Sequence, residues 1–245
     1  ETCDESVAKL RGQGANKTFT RVAPMWAERL AIACEKKGGM LFLDEISCTP
    51  PAVQGPMLRI LQDHVVGDFA LPKRMPVVAA ANPSDVAAGG FELAAPMANR
   101  MMHIDWPLDT DAWIDGMLRG WPDPDVVKIP AAWRSLLPAK RALVASFIRI
   151  RKELLLKMPD NEEDRGRAWP SPRTWDMSAT AMAACESVAR RDCRLPMLAG
   201  LVGEGAALEF VGWENEMDIP SGEECLADPK GVKIPDRGDK LNAML

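Results

Sequence analysis

The sequence has no apolar run approaching the length of a membrane span, and no signal peptide opens it. A membrane-embedded chain is therefore not expected. It also has no C-x-x-C pair, and only His64 and His103 stand beside its six cysteines. A zinc site needs about four clustered soft ligands. Cys3, Cys34, Cys48, Cys185, Cys193 and Cys225 therefore read as reduced cytosolic thiols, several of them buried, and not as metal ligands or a secreted disulfide framework. There is no long run of either charge, and the formal net charge is −5. Binders of duplex nucleic acid usually show a basic face, so that class is disfavoured. Methionine is missing from the first position, where Glu1 stands, as expected of a fragment or a processed product. There is no internal repeat and no low-complexity tract.

What is present is ample core-forming material. Of 245 residues, 47% are hydrophobic, enough for one large domain or two modest ones. Residues 7–20 are polar and glycine-containing, which predicts a loop or a small insert. Met25 to Lys37 reads as a helix with Trp26, Leu30 and Ala33 on one face, stopped by Gly38-Gly39. Met40 to Leu43 is an unbroken apolar run, as expected for a strand buried on both faces. Thr49-Pro50-Pro51 predicts a helix start with Thr49 as cap. Val53, Met57, Leu58 and Leu61 form that helix's apolar stripe, and Gly55-Pro56 should kink it. Val65-Val66, Gly67-Asp68 and Phe69-Ala70-Leu71 predict a short hairpin. Val77 to Ala81 is a second expected buried strand.

After Trp106-Pro107 the character changes to helical. The spacing predicts a helix from Ala139 to Met158, with Leu143, Phe147, Ile150 and Leu154 on one face. A second helix should begin at Ser171-Pro172, with Ser171 as cap and Pro172 in the first helical position, and run to about Arg191. A third should span roughly Leu195 to Met217. The expected fold class is therefore α/β with a parallel-sheet core, followed by an all-helical part. The expected domains are residues 1–107 and 108–245.

Four short stretches carry the chemistry. Asp44-Glu45 stands at the C-terminal end of the first strand, where open α/β sheets bind ligands. Such a pair either closes a strand in a polar turn or, as in P-loop NTPases, supplies one acid to magnesium and one to the attacking water. Asn82 ends the second strand. It is either a turn former before Pro83 or an amide placed to hold water or a phosphate oxygen. Arg100 lies between a short helix and a third apolar segment, and taken alone reads first as a solvated cation. Arg173 sits in the first turn of a helix, where a cation opposes the helix dipole unless an anion is near.

LFLDEIS at 41–47, AAANP at 79–83, MANRM at 97–101 and SPRTW at 171–175 occur in this order. Together they resemble the Walker B motif, sensor 1, arginine finger and sensor 2 of AAA+ ATPases. TPPAVQGPMLRILQDHVVGD at 49–68, with the short hairpin before AAANP, is similar to the MoxR-type branch. The resemblance covers about residues 20–215. It implies a partial P-loop NTPase core followed by a helical lid, with ATP and Mg2+ as ligands. It implies Asp44 as the magnesium-side acid and Glu45 as the water activator. Asn82 would be sensor 1, Arg100 a finger reaching a neighbour's nucleotide, and Arg173 sensor 2. A finger acting in trans implies a homo-oligomer, a hexameric ring in such proteins, working on a protein substrate or adaptor in the cytoplasm. The alternative is a scaffold that keeps the shape and does not hydrolyse.

One expected motif is missing. Nothing matches G-x-x-x-x-G-K-[ST], and the nearest stretch, Arg11 to Thr18, has Arg11 and Asn16 where glycines are required. Those glycines let backbone N–H groups wrap the phosphates. The expectation is that the P-loop lies upstream of Glu1.

Overall fold

The computed structural model describes residues 8–11, 18–21, 23–82, 90–124 and 126–216. Chain contacts divide it into two compact units, Glu1–Arg100 and Met101–Leu245.

The first unit opens with β1 (Ala8–Arg11) and β2 (Thr18–Arg21), paired antiparallel with Ala8 opposite Arg21 and Arg11 opposite Thr18. Residues 7–20 were expected to be a loop or a small insert, and the pairing overturns the first of these. The strands are too short and too mixed in polarity to signal themselves; the backbone ladder defines them. The P-loop-like stretch falls here, and its residues 12–17 lie outside the described residues.

Helix α1 (Met25–Lys37) has the expected bounds and stops at Gly38, whose φ of 78° favours glycine. Its buried face is rotated from the expected one. Ala27 is fully buried, and Leu30 and Cys34 pack beside it, while Trp26 is 44% exposed. Strand β3 (Leu41–Leu43) follows. Helix α2 (Pro51–Asp63) starts on Pro51, and Thr49 does not cap it. It remains one helix through Pro56. Hairpin β4 (Val65–Val66) and β5 (Phe69–Ala70) turns on Gly67 at φ 60°, the positive φ that such two-residue turns demand. Strand β6 (Val77–Ala79) and the short α3 (Ala95–Ala98) complete the unit.

The two expected strands do pair in parallel, Leu41 with Val77 and Leu43 with Ala79. One face of the pair closes a small core with Ala27, Leu71 and Met75. The other face is open, with Phe42 52% and Val78 42% exposed, so burial on both faces is not observed among the described residues.

The expected α2 stripe is kept at Met57, Leu58 and Leu61, which are half-buried, and differs at its start. Val53 faces solvent, and Gln54 is 3% exposed. Its Nε2 donates to the carbonyls of Thr49 and Glu92, both at 3.2 Å, and its Oε1 accepts from the Ala94 N–H at 2.7 Å. The amide thus ties the helix start to the segment entering α3. Gln54→Ala strands these backbone groups, and an unpaired buried group costs about 1–3 kcal/mol. The expected loss of stability is of that size, read from urea unfolding followed by circular dichroism.

In the second unit, Asp109 caps α4 (Thr110–Arg119) by accepting the Ala112 N–H at 2.9 Å, and Gly120 at φ 85° ends it. A 3-10 segment over Ala131–Leu136 leads into α5 (Leu137–Ile150). The single helix expected to reach Met158 breaks at Arg151, whose φ of −117° and ψ of 59° are not helical, and continues as a 3-10 turn. Ile150 is accordingly exposed while Phe147 and Leu154 remain buried. After the short α6 (Glu162–Arg165) comes α7 (Pro172–Ser187), which ends earlier than the expected Arg191. The expected last helix is two, α8 (Arg194–Val202) and α9 (Glu204–Asn215), because Gly203 turns the chain at φ 80°. Met217 lies outside the described residues. So do Cys3 and Cys225; the four described cysteines are free, with Cys185 buried and Cys48 exposed.

The core of this unit is aromatic. Phe147 meets Trp175, Phe210 and Trp213 with ring centroids 5.1–5.6 Å apart. Trp175 also donates its indole N–H to the Leu154 carbonyl at 2.8 Å, fixing the turn after α5. Such ring pairs add about 0.5–1.5 kcal/mol each beyond area burial. Among the described residues every strand lies in the first unit.

Candidate functional site

Backbone bonds bring two strand ends together. The Ala80 N–H donates to the Leu43 carbonyl at 2.9 Å, and the Ile46 N–H donates to the Ala80 carbonyl at 3.0 Å. The chain after β3 therefore turns against the chain leaving β6. The turn falls on Glu45, at φ 52° and ψ 45°. A non-glycine residue in this left-handed region costs about 1–2 kcal/mol, and such strain concentrates at functional sites.

The turn delivers the Glu45 carboxylate to Asn82. Nδ2 of Asn82 donates to Oε1 of Glu45 at 3.0 Å. The other oxygen, Oε2, lies 3.8 Å from the Cys48 thiol, a weak donor. Asp44 turns its Oδ1 to the Glu45 N–H at 3.1 Å. Asp44, Glu45 and Asn82 are all exposed. An exposed carboxylate held by an amide is an acceptor in a fixed place, which is what positioning and deprotonating a water requires.

Among the described residues no group of three or more His, Cys, Asp or Glu could hold a metal outright. Asp44 alone fits the lesser role of one carboxylate toward a magnesium ion that keeps most of its waters and takes phosphate oxygens. The phosphate side does not fit. The sequence has no glycine-rich cradle and Lys to grip the phosphates of an ATP.

Arg100 is anchored elsewhere in the same unit. Its Nε donates to Oε1 of Gln62, near the C-terminal end of α2, at 2.9 Å, and its Nη1 donates to the Pro96 carbonyl at 2.5 Å. Arg173 belongs to the second unit, exposed in the first turn of α7. The helix start before it is rigid. The Thr174 N–H donates to Ser171 Oγ at 3.2 Å, and the Ser171 N–H donates back to Thr174 Oγ1 at 2.8 Å. This reciprocal cap, with Pro172 in the first position, is the start read from SPRTW.

Gln62, Gln54 and Cys48 were missed in the sequence. Gln62 and Gln54 carry no local signal, since an exposed and a structural glutamine on a helix look alike. Cys48 could have been found from its spacing of three residues after Glu45.

Comparisons with known proteins come to one finding. No curated protein and no solved structure matches the chain. Residues 27–84 match the family model of the sigma-54 interaction domain. The stretch holding Asp44, Glu45 and Asn82 is thus similar to a domain of the AAA+ class, and the match supports an AAA+ ATPase.

Proposed function

We propose that the chain carries the hydrolysis half of an oligomeric AAA+ ATPase of the MoxR type, which remodels or activates protein partners. The observation carrying the reading is the Asn82–Glu45 hydrogen bond across two adjacent parallel strand ends. It joins a candidate base to a neutral amide beyond the C-terminal ends of the strands, where α/β folds bind ligands. Glu45 is the water activator, Asn82 holds and orients it, and Asp44 faces the magnesium. Arg100 acts on the neighbour's nucleotide, and Arg173 acts from a lid formed by the helical residues after 107. The hairpin before β6 and the wording of residues 49–68 support the MoxR branch. The open apolar face of Phe42 and Val78 is a surface for a further covering layer, because apolar parallel strands are normally covered on both faces. The proposed setting is a cytoplasmic ring of hexameric size. No helix among the described residues is long and apolar enough to cross a membrane.

The missing cradle favours a second reading, a scaffold that keeps the shape and does not hydrolyse. Turnover of the complete reading frame decides between them. Magnesium-dependent phosphate release by that protein supports the ATPase, and its absence despite oligomer formation supports the scaffold. The chain of residues 1–245 alone is expected to release phosphate at no more than background, because P-loop amides and a lysine supply most of the grip on the β- and γ-phosphates. Robust turnover by it would show a phosphate site elsewhere.

A further inference from the structure

The second unit carries two unpartnered surfaces that match one another. Helix α4 turns Trp113, Ile114, Met117 and Leu118 outward, at 50%, 43%, 64% and 76% exposure. At 100° per residue these four share one face. The opposite flank is closed by Trp121, which folds back on Gly116 so tightly that a Cβ there would meet its ring at 2.7 Å. The open face is thus the one left uncovered, and apolar patches of this kind mark interaction sites. Its surroundings are acidic: Asp109, Asp111 and Asp115 against one base, Arg119, which stands 3.6 Å from Asp115 in an exposed pair of little strength, so the net charge of the face stays negative.

The other surface is a groove of about 550 Å3 between α5 and α7. Val144, Ile148, Leu155 and Trp175 make its apolar lining, and Arg149 and Lys152 stand at its rim. Rim residue Arg141 is neutralised by Asp176 at 2.8 Å. Arg149 and Lys152 have no ion pair among the described residues. The groove is therefore apolar with a net positive edge.

We propose that α4 of one copy of the chain docks in the α5–α7 groove of a second copy, with Trp113 and its apolar neighbours in the groove and Asp111 and Asp115 toward Arg149 and Lys152. Both surfaces are complementary in character and in charge, and complementary charge fixes register and partner choice at interfaces. The contact is heterologous, with different surfaces of the two copies meeting, so repetition builds a ring or a filament. It deepens the oligomer part of the proposed function and does not depend on hydrolysis.

Charge reversal tests it. Asp111→Lys with Asp115→Lys makes a helix variant, and Arg149→Glu with Lys152→Glu makes a groove variant. In sedimentation experiments on the full chain, each is expected to self-associate at least about tenfold more weakly than the parent. The quadruple variant should recover, which excludes misfolding as the cause. An equimolar mixture of the helix and groove variants should recover as well, since each helix then meets a complementary groove on the other chain. Recovery of the quadruple variant without recovery of the mixture would mean that α4 docks within its own chain, and would overturn the proposal. A parent chain that stays monomeric overturns it too. So does an oligomer indifferent to both reversals, which would leave the oligomeric ATPase reading standing.

Discussion

Glu45→Gln is expected to leave nucleotide binding intact and to lower turnover of the complete protein by about 10²–10⁴-fold, the size of a general-base contribution. The substitution is nearly isosteric. Gln keeps a carbonyl oxygen where Oε1 stands, so the 3.0 Å bond from Asn82 Nδ2 survives and the left-handed turn at residue 45 keeps its support. What disappears is the charge and the basicity at the oxygen facing solvent. Fluorescent-nucleotide titration reads the binding, and phosphate release reads the turnover. Unchanged turnover would remove Glu45 from the role of water activator. Loss of binding would instead mean that the charge of the acidic pair shapes the nucleotide site.

The Asn82 contact gives that experiment an internal companion. Asn82→Ala removes the donor while leaving the carboxylate charged. If Asn82 acts by holding Glu45, the two substitutions together should cost little more than Glu45→Gln alone, because residues in one hydrogen-bonded unit are strongly non-additive. Additive losses would give Asn82 an independent contact with the nucleotide or the water.

How much of this was legible depended on whether the signal was local. Ser171-Pro172 announced a helix start because cap chemistry sits within four residues, and the structure closes the reciprocal bond with Thr174. Gly67-Asp68 announced its hairpin for the same reason. The parallel pairing of Leu41–Leu43 with Val77–Ala79 followed from two apolar runs ending in polar residues. Buried faces were harder. Helix α1 packs Ala27, Leu30 and Cys34 on the cluster of Leu41 and Leu71, keeping Leu30 of the expected stripe and replacing Trp26 and Ala33 by the residues that follow them. In α2, Gln54 took the buried position through three hydrogen bonds with groups up to 40 residues distant. No periodicity encodes such a staple. Helix α4 was not expected from the sequence, although Asp109 and Gly120 bound it in the structure. At the site itself, the residue types were readable and the Glu45–Asn82 distance was not, since it arises from the register of two strands.

Arg100→Ala in the complete protein is expected to lower turnover by about 10³–10⁵-fold, as loss of an arginine finger does. The structure imposes a control on that prediction. Arg100 holds Gln62 through Nε and the Pro96 carbonyl through Nη1, so its removal also loosens the end of α2. Gln62→Ala breaks the anchor and keeps the guanidinium, and should cost far less, so a similar loss in both would assign Arg100 a structural role. Subunit mixing then separates the two cations. A Glu45→Gln subunit cannot hydrolyse its own ATP and can still lend Arg100 to a neighbour. An Arg100→Ala subunit owns an intact site and lends nothing. Mixing these two inactive variants should restore part of the activity, because some sites combine an intact Glu45 with a neighbour's intact Arg100. Arg173, on the lid proposed to cover its own core, should behave oppositely. In a mixture of Arg173→Ala with Glu45→Gln every subunit carries a defect in its own site, so no activity should return. Mixed oligomers that fail to recover activity in the first pairing would place Arg100 in its own subunit's site, or outside the site altogether.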